Sequence, residues 1–427
     1  MRRSFTLTLL LLLTACLLCS TVARAGEIPT PAPTITINPT VGPPTTKILV
    51  SGTGFDPSTT VYIYFDAKNL ARAMTNSSGA FAGAPLTVPP SAVPGTHQVI
   101  AGERAKKAQA SFLVRTDWAQ FRFGPDHKGL NPYENVLSPA TVGSLNLLWS
   151  YQTGLYVASS PAVVNGMVYV NSADGNFYAL NASTGALLWS YPTGDQLGTS
   201  PAVVNGVVYV TAGDTAIYAL NASTGALLWH SGTPGASASS PTVANGLVYV
   251  ASDGQLWALN ASTGALLWTQ GIGGPADVSS PAVANGVEYV GSQDNNLYAL
   301  NASNGTLLWQ YTTGSRILFS SPAVANGVVY IGSTDGNLYA LNATTGIFLW
   351  QYTTGNLVSS SPAVANGVVY VGSEDDSLYA LNASTGALLW RYATGGSVDS
   401  SPTVANGVVY VGSGDGKLYA FGLTGSQ

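Results

Sequence analysis

The sequence predicts an all-β protein, most of which is a repeat of about 40 residues. A tryptophan marks each unit, and its seven copies are spaced by 39 to 41 residues: Trp149, Trp189, Trp229, Trp268, Trp309, Trp350 and Trp390. Asn-Gly also recurs seven times, and this dipeptide favours the positive φ angles of a tight hairpin. Four short strands fit in each unit, so the repeat predicts a seven-bladed β-propeller of four-stranded antiparallel blades.

The unit that ends at Trp350 shows how the four strands follow one another. Asn326-Gly327 joins strand A to strand B, and Asp335-Gly336 joins B to C. The stretch 342–346, Asn-Ala-Thr-Thr-Gly, joins C to strand D, which carries the tryptophan. Turn residues at these three places predict an antiparallel meander.

The order of the markers predicts how the ring closes. Trp149 precedes the first Ser-Pro pair, Ser160-Pro161, whereas the last unit stops at Ala420-Phe421 without a tryptophan strand. Pairing the strand around Trp149 with the last unit would complete that blade and remove open sheet edges.

Shorter β-rich runs lie upstream of the repeat, separated by Gly, Pro, Asn and Ser turn signals. About seven strands fit between Pro33 and Val114, as in an immunoglobulin-like sandwich. We therefore divide the chain into a signal peptide (1–25), an Ig-like β-sandwich (26–115), a linker that leads into the repeats (116–144) and the propeller (145–427).

The N-terminal apolar run from Phe5 to Leu18 follows two arginines and is too short to span a bilayer. It predicts a signal peptide, and hence a secreted, cell-surface or periplasmic protein without a transmembrane segment. Two processing sites compete. Cleavage after Ala25 removes both cysteines, whereas the lipobox-like Leu-Thr-Ala-Cys ending at Cys16 predicts lipidation of that cysteine and a lipid anchor.

The charge distribution excludes one class of partner. Only 8% of the residues are charged, and from Leu145 onward thirteen acidic side chains stand against three basic ones. Such a surface repels phosphate backbones, so we expect no nucleic-acid partner. We expect the protein to be a monomer.

The segment Ala179–Trp189, Ala-Leu-Asn-Ala-Ser-Thr-Gly-Ala-Leu-Leu-Trp, recurs through the repeat and resembles the tryptophan-docking motif of the pyrroloquinoline-quinone-like (quinoprotein-type) β-propeller family. Residues 117–145 resemble the segment that precedes the repeats in that family. The resemblance implies that each tryptophan packs between neighbouring blades, where apolar burial contributes roughly 25 cal/mol per Å². We expect all seven to be structural, since a ligand site does not need seven equivalents.

The best-known members of that family are quinone-dependent alcohol and sugar dehydrogenases, which implies pyrroloquinoline quinone and calcium as cofactors. That cofactor carries three carboxylates, and buried carboxylates need cationic or metal partners. The repeats offer only Arg316, Arg391 and Lys417, in three different units, and no cysteine pair. We therefore expect a protein that is not an enzyme and has no cofactor, with a quinone-dependent dehydrogenase as the alternative.

The repeats differ most in the loops between strand D and the next strand A. These loops mix apolar residues with single charges, as protein or peptide sites do, and we place the candidate binding residues there: Tyr156, Asp195, Asp277, Arg316, Phe319 and Asp399. The prediction is a binding or scaffolding propeller for a protein or peptide at the cell envelope. A carbohydrate or surface adhesion module is a further alternative. Exposed loop residues also vary in sequence when they bind no ligand, which is a third explanation of the differences between the repeats.

Overall fold

A computed structural model of the chain describes residues 32–194, 199–212, 216–232, 239–252, 255–271 and 279–425. These residues are mainly β-strands and turns, and the one helical element among them is the 3₁₀ turn Val142–Ser144. No helix in this described part is long and apolar enough to cross a membrane. The predicted signal peptide, including Cys16, lies outside the described residues.

Residues 34–114 form two sheets that share one hydrophobic core. Their strands are β1 (Thr34–Asn38), β2 (Val41–Gly42), β3 (Lys47–Thr53), β4 (Thr60–Phe65), β5 (Lys68–Met74), β6 (Phe81–Thr87), β7 (Gly95–Glu103) and β8 (Lys106–Val114). One sheet has the order β1-β3-β6 and the other β2-β8-β7-β4-β5. Alternate residues of each strand point inward, so Ile48, Val61 and Phe112 meet in the core, where all three are fully buried.

Downstream, the described residues form seven antiparallel units of four strands, which we number as repeats 1 to 7 by their A strands. The A strands are Ala162–Val164, Ala202–Val204, Thr242–Ala244, Ala282–Ala284, Ala323–Ala325, Ala363–Ala365 and Thr403–Ala405. The B strands are Met167–Asn171, Val207–Thr211, Leu247–Ser252, Val287–Gly291, Val328–Gly332, Val368–Ser373 and Val408–Gly412. The C strands are Asn176–Asn181, Ala216–Asn221, Gln255–Asn260, Asn296–Asn301, Asn337–Asn342, Ser377–Asn382 and Lys417–Gly422. The D strands of repeats 1 to 6 are Leu187–Pro192, Leu227–Gly232, Leu266–Gly271, Leu307–Thr312, Phe348–Thr353 and Leu388–Ala393.

The turns use the residue types that predicted them. In repeat 1, Asn165 and Gly166 have φ angles of 55° and 74°, the left-handed pair of a tight A–B hairpin, and the other six Asn-Gly pairs also have positive φ. In the C–D turn, Asn181 Oδ1 accepts hydrogen bonds from the backbone N–H groups of Ser183 and Thr184 at 2.9 and 3.0 Å. The Asn-Ala-Ser/Thr sequence therefore acts here as a turn.

The sheet of repeat 7 is completed by a strand from upstream of repeat 1. Asn146–Gln152 pairs antiparallel with strand C of repeat 7, and Trp149 lies opposite Ala420. Repeats 7 and 1 also meet at the inner strands, where Thr403 Oγ1 donates to Pro161 O at 2.6 Å. The pairing predicted for the strand around Trp149 is confirmed.

Neighbouring sheets are joined by pairs of aromatic hydrogen-bond donors. In repeat 5, Trp350 Nε1 and Tyr330 Oη donate to the same carbonyl oxygen, that of Ala383 in repeat 6, at 3.1 and 3.0 Å. The carbonyl oxygens of Ala182, Ala222, Ala261 and Ala343 each accept an equivalent pair. Burying the two rings therefore leaves none of these five pairs of donors unsatisfied.

The predicted linker does more than connect two domains, because residues 118–131 run along the inner edges of the A strands. Trp118 exchanges two backbone hydrogen bonds of 2.8 Å with Val163 in repeat 1. The following residues bond the equivalent valine of each next repeat: Ala119 with Val203, Gln120 with Val243, Asp126 with Val283, Lys128 with Val324, Gly129 with Val364 and Asn131 with Val404. Residues Leu130–Asn131, strand β9, pair in parallel with strand A of repeat 6. This inner segment pairs backbone groups on the edges of the innermost strands.

Candidate functional site

The D–A loops and the B–C turns lie together on one face of the ring, which we call the loop face. In the loop that leads into repeat 1, Gly154 N–H donates to Asp174 Oδ2 of the B–C turn at 2.6 Å. Ala173 N–H, in the same turn, donates to Tyr156 O at 3.0 Å.

The residues that directly follow the β-sandwich contact the opposite face, where the A–B turns lie. Thr116 N–H donates to Asn406 Oδ1 at 2.8 Å, and the Arg115 guanidinium donates to Asn165 Oδ1. Asn406 and Asn165 both belong to Asn-Gly turns. These contacts therefore leave the described part of the loop face on the far side of the ring from the sandwich.

Aspartates of the B–C turns hold the start of each described loop. Asp415 Oδ2 accepts hydrogen bonds from Tyr419 Oη at 2.5 Å and from Gly395 N–H at 3.1 Å. Burial raises the pKa of Asp415, but hydrogen bonds from Tyr419, Lys417 and Ser413 outweigh burial and hold this pKa below its ordinary value. The loop face thus has a rigid base.

The loop that leads into repeat 5 carries an inserted residue. Between the buried anchor Ile317 and Ser320 it has two residues, Leu318 and Phe319, where the loop into repeat 7 has only Asp399. Ser320 N–H donates to Leu318 O at 2.7 Å, and Phe319 has a φ of 62°, which together describe a γ-turn. The Phe319 side chain is 69% exposed at the tip of this turn.

Arg316 precedes this γ-turn and is also exposed. Its backbone carbonyl oxygen accepts hydrogen bonds from Thr334 N–H at 2.9 Å and Thr334 Oγ1 at 3.0 Å. The backbone of the loop is therefore fixed, while the charged side chain remains accessible.

Tyr156 and Asp399 lie on neighbouring loops and line one pocket of about 320 Å³. Val157, Ala158, Ser397 and Gly414 line the rest of it, and Ser397 Oγ donates to Asp399 Oδ2 at 2.9 Å. None of these four residues was among the predicted binding residues, because small and apolar side chains of these types recur throughout the repeats. Asp195 and Asp277, the other two candidate binding residues, lie outside the described residues.

The seven repeat tryptophans lie on the D strands, and most of them contact the neighbouring sheet. The indole N–H groups of Trp149, Trp189, Trp229, Trp309 and Trp350 donate to an alanine carbonyl of the following repeat. Trp390 donates instead to Leu145 O at 3.2 Å, because strand D of the next sheet comes from upstream. Trp268 contacts the ring of Tyr249 and is 43% exposed.

Two of the three basic residues of the repeats lie beside aspartates of the B–C turns. Arg391 lies on an outer strand, 3.6 Å from Asp375, and Lys417 lies 3.5 Å from Asp415, so both cations already face turn aspartates. Of the three basic residues in the repeats, only Arg316 has no such aspartate partner among the described ion pairs. In the described part, no three His, Cys, Asp or Glu side chains are grouped to hold a metal ion.

Comparison with known structures shows the same fold in proteins of different activity. The quinohemoprotein alcohol dehydrogenase from Comamonas testosteroni is 17% identical, with a TM-score of 0.57 over 73% of this chain and 81% of the other. A europium-containing methanol dehydrogenase is 15% identical, with a TM-score of 0.56 over 72% of this chain and 98% of the other. The computationally designed Ika8 protein is 18% identical, with a TM-score of 0.57 over 65% of this chain and 99% of the other. At these identities the likeness shows the fold alone.

Sequence comparison is more specific. No curated protein sequence matches the chain significantly. A family profile does: its matches span residues 143–197, 192–313, 278–359 and 349–427, about two thirds of the chain. With its PQQ-like repeats, the chain therefore belongs to the family described as outer membrane protein assembly factor BamB.

Proposed function

We propose that the protein is a non-catalytic, extracytoplasmic binding propeller that engages a protein or peptide partner through its loop face. The observation that carries this proposal is Phe319, a phenylalanine that is 69% exposed and held in a γ-turn. Left-handed backbone is costly for a bulky residue and tends to persist at binding sites. Arg316 stands in the same loop, and arginine and aromatic residues contribute much of the binding energy at protein interfaces.

The proposed architecture is a seven-bladed ring that follows an Ig-like sandwich. Seven four-stranded sheets, with inner strands of repeats 7 and 1 in contact, support the ring. The Ig-like assignment is supported by the sheet order, in which β1-β3-β6 corresponds to strands A, B and E, and β8-β7-β4-β5 to G, F, C and C′. In this arrangement the sandwich is a spacer on the face opposite the binding loops.

The location and the kind of partner follow from two observations. The family is described as an outer membrane assembly factor, which supports a protein partner at the cell envelope. The N-terminal apolar run supports export, either as a free protein or with a lipid on Cys16.

Site-specific photo-crosslinking tests the proposal. A photoreactive phenylalanine analogue replaces Phe319 in the producing cell, and the control replaces Phe348, which is 44% exposed on an outer strand. We expect position 319, and not 348, to crosslink one defined envelope protein. With that purified protein, Phe319→Ala should weaken binding by about tenfold or more, and Phe348→Ala should not.

Three results would contradict the proposal. Equal crosslinking at both positions would remove the loop face as the site. Binding to a glycan array that is lost on Phe319→Ala or Tyr156→Ala would favour the adhesion alternative. Stoichiometric binding of pyrroloquinoline quinone and calcium with dye-linked alcohol or sugar oxidation would make the protein a dehydrogenase.

A further inference from the structure

A buried arginine lies inside the ring. Arg122, in the inner segment, is 3% exposed, and its Nη2 donates to the carbonyl oxygen of Pro322, directly before strand A of repeat 5. A Cβ added to Gly129 would lie 2.6 Å from the same nitrogen and 3.0 Å from Pro362 O, directly before strand A of repeat 6. The guanidinium is therefore enclosed between the inner strands of two neighbouring repeats.

Most N–H groups of the Arg122 guanidinium have no hydrogen-bond acceptor among the described residues. Nε and Nη1 of Arg122 are buried and have no partner among the described residues. None of the ion pairs in the described part includes Arg122. Burial lowers the pKa of Arg122 to about 9, so the group still carries its charge at neutral pH. A buried charge without a counter-charge is strongly unfavourable.

The neighbouring titratable groups do not neutralise it. Burial, together with the charge of Arg122, lowers the pKa of His127 to about 4, so this histidine is uncharged at neutral pH. The Asp126 carboxylate is paired with Lys128 at 2.8 Å. Neither group supplies a negative charge to the guanidinium.

The backbone that positions the guanidinium is itself strained. Arg122 and Phe123 are consecutive non-glycine residues with φ angles of 62° and 83°. Edge-to-face packing of Phe123 on Trp118, with ring centroids 5.3 Å apart, holds this conformation. Such strain persists where the surrounding structure fixes it, often at ligand sites.

We propose that Arg122 binds a small monovalent anion inside the ring. The N–H groups of Nε and Nη1 would donate to it, and one negative charge would balance the single positive charge. Halide and formate share this chemistry. The inference concerns the inner segment and does not depend on the proposed function of the loop face.

Crystals of the protein soaked in bromide test the site directly. We expect an anomalous bromide peak within hydrogen-bonding distance of Nε or Nη1 of Arg122. Water alone at these nitrogens would overturn the proposal.

Thermal unfolding at constant ionic strength tests it in solution. Replacing gluconate with bromide or with formate should raise the unfolding midpoint saturably, by roughly 2 °C at ten times the dissociation constant. Arg122→Met should abolish this response, whereas Arg72→Met, at an exposed site on the sandwich, should retain it. A response to formate alone would identify a carboxylate site, and the same response in Arg122→Met would overturn the proposal. If Arg122→Met does not fold, the presence or absence of the anomalous bromide peak in crystals of the unchanged protein tests the proposal.

Discussion

Tyr330 in repeat 5 donates its hydroxyl group to Ala383 O in repeat 6 at 3.0 Å, a bond that recurs at four other contacts between repeats. The equivalent Tyr370 in repeat 6 has a buried hydroxyl group without a partner in the described part. In repeat 7 strand C is not followed by a strand D, and residues Asn146–Gln152 from upstream take that place. Repeat 7 therefore lacks the C–D turn whose alanine carbonyl oxygen accepts the tyrosine hydroxyl group at the other contacts. Closing the ring with a distant strand therefore leaves one donor unsatisfied.

This difference predicts opposite effects for two identical substitutions. Tyr330→Phe should lower the free energy of unfolding by about 1 kcal/mol, because it removes a buried hydrogen bond. Tyr370→Phe should be neutral or stabilising, because it removes a buried hydroxyl group that has no partner among the described residues. Urea unfolding of both variants measures the contrast, and an equal loss in the two would contradict it.

The repeat tryptophans differ in burial, so we expect their replacement to lower the free energy of unfolding by different amounts. Trp350 is 8% exposed and donates to Ala383 O at 3.1 Å, whereas Trp268 is 43% exposed. Trp350→Phe should destabilise the protein by about 2 kcal/mol, from lost apolar burial and a lost hydrogen bond. Trp268→Phe should cost less than half of that. Thermal and urea unfolding give both values, and a larger cost at Trp268 would count against the structural role of the indole N–H.

His127 predicts a loss of stability at mildly acidic pH. Burial and the nearby charge of Arg122 lower its pKa from 6.5 to about 4. The unfolded chain therefore takes up a proton below about pH 6.5 while the folded chain does not, so stability falls as the pH falls from 6.5 to 4. Between pH 7 and 5 the loss from this group should be about 2 kcal/mol. His127→Gln should flatten that part of the pH profile of urea unfolding, and an unchanged slope would show that the histidine is not responsible.

Asp415 predicts a second loss at lower pH. Its folded pKa lies below the ordinary value of 3.8, so its contribution to stability is present above about pH 4 and is lost as the pH falls further. Asp415→Asn should be less stable than the unchanged protein at pH 7, and the two should converge near pH 2. The control is Asp376→Asn, at an exposed turn position whose φ of 64° asparagine also tolerates. A constant difference between the two proteins across this range would mean that the Asp415 carboxylate is not the cause.

Local sequence was sufficient for the repeating part of the fold. Asn165 and Gly166 are residue types that tolerate positive φ, so this pair predicts the tight A–B hairpin that they form. The Asn181 side chain forms the C–D turn by accepting hydrogen bonds from residues only two and three positions away. The pairing of the Trp149 strand with repeat 7 was also predictable, because counting the markers left one strand spare before the first repeat and one strand missing from the last repeat.

The site was only partly predictable. The variable loops were identifiable because the repeats are otherwise nearly identical, and Phe319 and Arg316 stood out by residue type. That Tyr156 and Asp399 share a pocket depends on repeats 1 and 7 being neighbours in a ring, although the two residues are far apart in sequence.

By itself the sequence determined the strands, their turns and the order of the repeats, because these depend on contacts between residues close together in the chain. Only the tertiary structure decided the course of residues 118–131 along all seven A strands, the burial of Arg122 and the unpaired hydroxyl group of Tyr370. Those features arise from contacts between distant segments, such as Trp118 with Val163 and Asn131 with Val404, for which the local residue pattern carries no signal.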